Sequence, residues 1–124
     1  MTDLKVKRAY DKYDPEDGLR VLVDKNWPKD ANSKELHYDV WEKKLAPSTE
    51  LKKWLYEDVT NRWTEFAKSY EKELANSTEL KQFINKIKHY NKVTLVYLSK
   101  DTERNNAKVL IEVLKQVLSE ETEK

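Results

Sequence analysis

The chain has 124 residues but no cysteine, a single glycine, three prolines and one methionine. The missing cysteines exclude disulfides, thiol nucleophiles and thiolate metal sites together. So little glycine and proline, beside hydrophobic and charged fractions of 38% each, describe a soluble, helix-rich chain rather than a loop-rich or disordered one. Neither sign of charge dominates: 24 basic residues face 23 acidic ones, for a net charge of +1, and the two are mixed along the whole length. Wrapping nucleic acid calls for a basic excess or stripe, so that function starts at a disadvantage. No apolar run approaches the roughly 20 residues that span a bilayer, and Met1 to Lys7 lacks the apolar core of a secretion signal. The expectation is a cytosolic protein that does not engage a membrane. At this length a single domain over residues 1–118 can build a core without covalent staples, with 119–124 as a frayed polar tail.

What the sequence does contain is abrupt punctuation. Leu19 to Pro28 and Val93 to Asp101 each run through β-branched and aliphatic residues and then break into charge. A buried strand with polar groups at its carboxyl end reads this way, and open α/β sheets place ligands at that end. Leu4, Val6, Arg8 and Tyr10 alternate with Lys5, Lys7 and Ala9, the period of a strand with one wet face near a sheet edge. Asp14, Pro15, Asp17 and Gly18 mark a turn. The run Val21, Leu22, Val23 predicts a strand covered on both faces, and the alternation of Leu36, Tyr38 and Val40 with His37 and Asp39 predicts a third, short one. Trp41 to Leu45 either turns helical or continues that strand.

Three helices are predicted next. The phrase Ser48, Thr49, Glu50, Leu51, Lys52 recurs as Ser77, Thr78, Glu79, Leu80, Lys81, each serine placed to accept a hydrogen bond from a first-turn amide. Between them Trp63, Phe66, Ala67, Tyr70 and Leu74 fall on one face of a helix over 60–74, and Leu80, Phe83, Ile84 and Ile87 repeat the spacing. A last helix over 102–118 carries Ala107, Leu110, Ile111, Leu114, Val117 and Leu118. Strands interleaved with helices imply an α/β fold: a small, mainly parallel sheet of three or four strands flanked by helices on both sides, in three layers. The link from Tyr10 to Leu19 is only about eight residues, against the dozen or more of a normal parallel crossover. Either the first two strands are antiparallel, or the crossover is compressed into one turn.

Parallel strands would gather Arg8 and Asp11, then Asp24, Lys25, Asn26 and Trp27, then Lys100 and Asp101 at one edge. The first amides of the last helix would face the same space and favour an anion. Arg8 either binds charge there or lies on an edge strand and pairs with Asp24 or Asp101. Lys25 and Lys29 are further anion-binding candidates, or plain surface lysines, and Trp27 either stacks on a ligand or closes the end of the core. Asp24 and Asp101 are the candidate acid and base. They could also hold Mg²⁺, although Asp101 serves equally well as the cap of the last helix, and no metal site is assigned. Ser48, Arg104 and Asn105 complete the ligand-binding candidates. Trp41, Trp54 and Trp63 are expected in the core, and His37 and His89 have no second histidine at ligand spacing. No Ser-His-Asp grouping, glycine-rich phosphate loop or cofactor motif is present, so no cofactor is expected.

The segments VDKNWPKD at Val23 to Asp30, WEKKLAPSTELKKWL at Trp41 to Leu55, RWTEF at Arg62 to Phe66 and SKDTERNNAKVL at Ser99 to Leu110 together resemble the YeaO-like bacterial proteins, a domain of unknown function. Four motifs in order, spread over residues 5–118, make the likeness specific. The resemblance implies a small cytosolic α/β protein and supplies no reaction, cofactor or substrate. Family members typically have arginines where Lys25 and Lys29 stand and a glycine at Asp30, so forked recognition of an oxyanion is weakened here. The family's usual histidine is Arg104 in this chain, which removes any proton transfer that histidine would do. Arg8, Asp24, Trp27, Pro28, Pro47, Ser48, Asp101 and Asn105 match the family pattern. The leading expectation is a site for a phosphorylated or carboxylate small molecule at the carboxyl edge of the sheet. The alternative is a non-catalytic protein-interaction or regulatory module, and nucleic-acid binding through Lys25, Lys29 and Arg104 comes third.

Overall fold

The computed structural model describes residues 2–25 and 37–122, the side chains of 121–122 excepted. Four strands, β1 (Asp3–Arg8), β2 (Leu19–Leu22), β3 (Val40–Trp41) and β4 (Lys92–Tyr97), form one sheet in the order β1-β4-β2-β3, and every pairing is parallel. The helices are α1 (Thr49–Glu57), α2 (Val59–Ala75), α3 (Thr78–Ile87) and α4 (Asn106–Thr122). The last strand in sequence thus slots between the first two and becomes the buried centre of the sheet. This explains the short link that follows β1. β1 and β2 are parallel but not neighbours, and segment 9–18 recrosses the sheet compressed around one 3-10 turn, Pro15–Asp17. The antiparallel option is overturned by the two parallel ladders on β4.

Register divides the side chains between two faces. Leu4, Val6, Val21, Val93 and Leu95 point to one side, where they join Phe66, Tyr70, Ile84, Ile87, Leu110 and Leu114 in a single apolar cluster. All four α-helices contribute to that cluster. The opposite face is covered by segment 9–18 and by a small group of Ala9, Leu22, Tyr38, Trp41, Val96 and Leu98. The sheet is therefore covered on both faces as expected, but among the described residues the second outer layer is a 3-10 turn and loop rather than α-helices.

That second layer is held by charge. Asp17 is fully buried, and its carboxylate accepts from Lys5 at 2.9 Å, Lys7 at 3.0 Å and Arg20 at 2.9 Å. Arg20 is fully buried as well and donates further to the carbonyls of His37, Ala9 and Asp11. Thr94 on the central strand donates to the Asp17 carbonyl at 2.7 Å. Burial pushes the Asp17 carboxyl up, but hydrogen bonds from Lys5, Lys7 and the Asp14 amide, with the charge of Lys7, overcome it and bring the pKa to about 2. The face of β1 expected to be wet is thus largely committed, because Lys5 and Lys7 turn inward to Asp17. Gly18, the only glycine, ends the turn at φ 64°, and a Cβ there would sit 2.2 Å from the Lys92 carbonyl oxygen. Both the left-handed backbone and the close approach require glycine.

Ser48 and Ser77 cap α1 and α3, accepting from the amides of Leu51 and Leu80 as their repeated phrase predicts. Of the expected third strand, Leu36 lies outside the described residues. The observed strand is Val40–Trp41, followed by a 3-10 turn at Lys43–Leu45. The last helix starts at Asn106, four residues later than predicted. Asp101 spends its side chain on the amides of Glu103 and Arg104 in a separate turn, and Asn105 takes over the cap by accepting from Lys108. α4 also continues through residues 119–122, which were expected as frayed tail.

Candidate functional site

Asp24 ends the β2 segment with only 6% of its surface exposed. Its backbone is pinned by the Trp41 indole, which donates to the Asp24 carbonyl at 2.6 Å. Its Oδ2 accepts from the Leu98 amide at 2.6 Å, which ties the ends of two neighbouring strands together. The carboxylate lines a crevice of about 210 Å³ beyond the carboxyl ends of β2 and β4, the position that parallel sheets reserve for ligands. Leu98, Ser99, Arg104, Asn105 and Asn106 line it from the β4–α4 connection, Lys52, Leu55 and Tyr56 from α1, and Pro47 and Phe66 complete the wall. Burial raises the Asp24 pKa above the ordinary carboxylate value, against the opposing pull of the Leu98 amide, the Lys52 charge and the Asn106 amide. Tyr56 is also pushed up, by burial and then by the charges of Asp24 and Asp101. Lys52 and Tyr56 are one turn apart on α1, the ammonium 5.9 Å from the ring centroid. Among the described residues, neither Lys52 nor Arg104 lies within ion-pair distance of a carboxylate.

The expected site residues divide. Asp24, Arg104 and Asn105 come together in the crevice. Asn105 shapes its wall, since its Oδ1 accepts from Lys108 while its Nδ2 donates to the Asp101 carbonyl at 2.9 Å. Asp101 is exposed outside the lining, its carboxyl lowered by the Arg104 and Glu103 amides that it accepts. Arg8 is on the edge strand β1. Its Nε donates to the Ser99 carbonyl at 3.1 Å and its guanidinium lies 5.6 Å from the Tyr10 ring, so the pairing with Asp24 or Asp101 is not formed. Lys25 donates to the Thr49 hydroxyl at 2.8 Å, away from the crevice. The Ser48 hydroxyl is engaged by Glu73 at 2.6 Å and by the Leu51 amide. Trp27 and Lys29 lie outside the described residues. Sequence reasoning missed Lys52, Tyr56 and Asn106; the first two are spaced i, i+4 after the Ser48 cap, the signal that marks them as neighbours on one helix face.

Among the described residues no three His, Asp or Glu side chains gather to hold a metal, and no helix is long and apolar enough to cross a membrane. A larger groove of about 680 Å³ between α2, α3 and α4 is lined chiefly by Leu74, Leu80, Ile84, Val113 and Val117, with charges of both signs at its rim. It lacks the convergent polar groups of the Asp24 crevice.

A parallel α/β sheet with a polar crevice at its carboxyl edge defines a small α/β class of fold rather than a particular chemistry. The chain belongs to the family described as the inactive DUF488-N3 subclade, whose model matches residues 3–124. It is 34% identical over 115 residues to the uncharacterised protein YeaO of Escherichia coli strain K12, a span covering 93% of this chain and 99% of that protein. Uncharacterised proteins of Mycobacterium bovis and Mycobacterium tuberculosis are 37% identical to it over 113 residues, 91% of this chain and 94% of theirs. No solved structure matches. The YeaO-like resemblance of the four sequence motifs thus extends over nearly the whole chain.

Proposed function

We propose that this protein binds a small anionic molecule, phosphorylated or carboxylate, in the crevice at the carboxyl edge of its sheet, without chemical turnover. The observation that carries the reading is the pair of cations, Lys52 and Arg104, that line one crevice without a direct ion pair to any described carboxylate, although the charge of Lys52 reaches Asp24 and that of Arg104 reaches Asp101. The amino end of α4 borders the same space through Asn105 and Asn106, and its amide dipoles favour negative charge. With Asp24 counted as ionised, the lining carries one net positive charge, suited to an oxyanion. The description of the family as inactive supports binding rather than catalysis.

The test is a titration of the ¹⁵N-labelled protein with inorganic phosphate, sugar phosphates, nucleotides and two- to four-carbon carboxylates. At least one is expected to shift the amides of Leu98, Asn106 and the second turn of α1. Lys52→Ala and Arg104→Ala should each weaken that ligand about ten- to a hundredfold, the loss of one charge-assisted hydrogen bond. Arg8→Ala should change affinity far less, because its guanidinium is turned to Ser99 and Tyr10. Silence from every probe, or unchanged affinity in both lysine and arginine variants, overturns the proposal.

A further inference from the structure

The anion-binding reading leaves one group unexplained. A site meant only for negative charge would not hold a carboxylate, yet Asp24 lines the same crevice as Lys52 and Arg104. Its Oδ2 is committed to the Leu98 amide, and the charged or polar groups facing it are Lys52 and Tyr56 from α1, Tyr70 from α2, and Asn106 at the start of α4. The Tyr70 hydroxyl is spent on the Leu45 carbonyl, while the Asn106 side-chain amide donates to the Val23 carbonyl and also hydrogen-bonds Asp24. Asp24 is 94% buried and lines the crevice, and because a carboxylate has about four acceptor sites, the Leu98 and Asn106 donors leave part of its capacity for a ligand. The crevice of about 210 Å³ has room for about seven waters at about 30 Å³ each, or a molecule of roughly seven to ten non-hydrogen atoms.

Resting on the anion-binding reading, we infer that the crevice selects a small bifunctional ligand, one that carries its anionic group together with a hydroxyl or ammonium donor. The anion lies against Lys52, Arg104 and the amino end of α4. The donor satisfies Asp24, which turns a repulsive carboxylate into a second recognition point. Hydroxy acids, amino acids and their short phosphorylated counterparts are the chemical class that fits, and simple anions are discriminated against by the same carboxylate.

Matched probes separate this inference from the reading beneath it. Acetate, glycolate and glycine share a carboxylate and differ in having no donor, a hydroxyl and an ammonium. In amide-detected titrations at low ionic strength, glycolate or glycine should bind at least about tenfold more tightly than acetate. Asp24→Asn keeps an acceptor for Leu98 and should bring that advantage to within about threefold while leaving acetate bound no more weakly. Equal affinity for all three in the wild-type protein, or an advantage untouched by Asp24→Asn, overturns the inference while anion binding stands. No response to these three, to inorganic phosphate or to any of the sugar phosphates, nucleotides and longer carboxylates overturns both.

Discussion

Asp17→Asn preserves side-chain volume and removes charge at the point where three cations meet one buried carboxylate. Lys5 and Lys7 retain 45% and 22% side-chain exposure and can return to water. Arg20 cannot, since its side chain has no exposed surface. In the variant its remaining partners are the carbonyls of His37, Ala9 and Asp11, which are dipoles and not a countercharge. Stranding a buried charge costs about 3–5 kcal/mol. The lowered pKa of Asp17, from 3.8 to about 2, has the same sign: at 1.36 kcal/mol per unit it favours the ionised native carboxylate by about 2 kcal/mol. The expected loss is therefore about 2–5 kcal/mol, a large part of the 5–15 kcal/mol typical of a domain.

Urea unfolding at pH 7, followed by tryptophan fluorescence, should show a lower midpoint with an unchanged slope. Adding Arg20→Met to Asp17→Asn should recover most of the loss, because the buried charge leaves with its partner. The sign with pH is fixed by the depressed pKa. The Asp17 contribution is complete above the unfolded value of 3.8 and disappears as pH falls through about 2, so the acid limb of the stability curve should be steeper in the wild type than in the Asn variant, which keeps only the part due to other carboxylates such as Asp101. A loss below about 1 kcal/mol at pH 7 would refute the assignment of Asp17 and Arg20 as the fastening of the second layer, since even a neutral hydrogen bond is worth that much.

Asp24 has the opposite sign: its folded pKa is raised, so its contribution is favourable at low pH and is lost as pH rises through that pKa. Asp24→Asn should accordingly raise the melting temperature at pH 7, with the gap to wild type closing toward pH 4. Ser48→Ala removes the α1 cap and the contacts with Glu73; it should cost about 1 kcal/mol in thermal or urea unfolding and leave ligand affinity untouched, and a tenfold affinity loss would return Ser48 to the site. Tyr70→Phe deprives the Leu45 carbonyl of its buried donor and should cost about 1–3 kcal/mol in the same assay.

What could be read along the chain was local. Alternation at Leu4 and Val6 marked an edge strand, the unbroken Val21 to Val23 marked a covered one, and the paired serines marked two helix starts, because each of these depends on neighbours within a few residues. The insertion of β4 between β1 and β2 could not be read this way: strand order depends on contacts about ninety residues apart, such as Leu4 with Val93. Arg20 escaped notice for a related reason. Inside an apolar strand a lone arginine looks like a solvated residue, and only the fold of segment 9–18 over the sheet delivers Asp17 to it. The crevice was half legible. Its strand-end half, with Asp24, follows from the break of an apolar run into charge, whereas Lys52 and Tyr56 carry the same signature as any polar helix face and acquire meaning only when α1 packs beside the strand ends. The two buried aspartates then show how the molecule divides its labour. Asp17 is surrounded by cations and has a lowered pKa, which fastens the sheet on one face. Asp24 is buried with its pKa raised, which stores an unfavourable interaction at the open edge, the condition under which a bound donor adds stability instead of only occupying space.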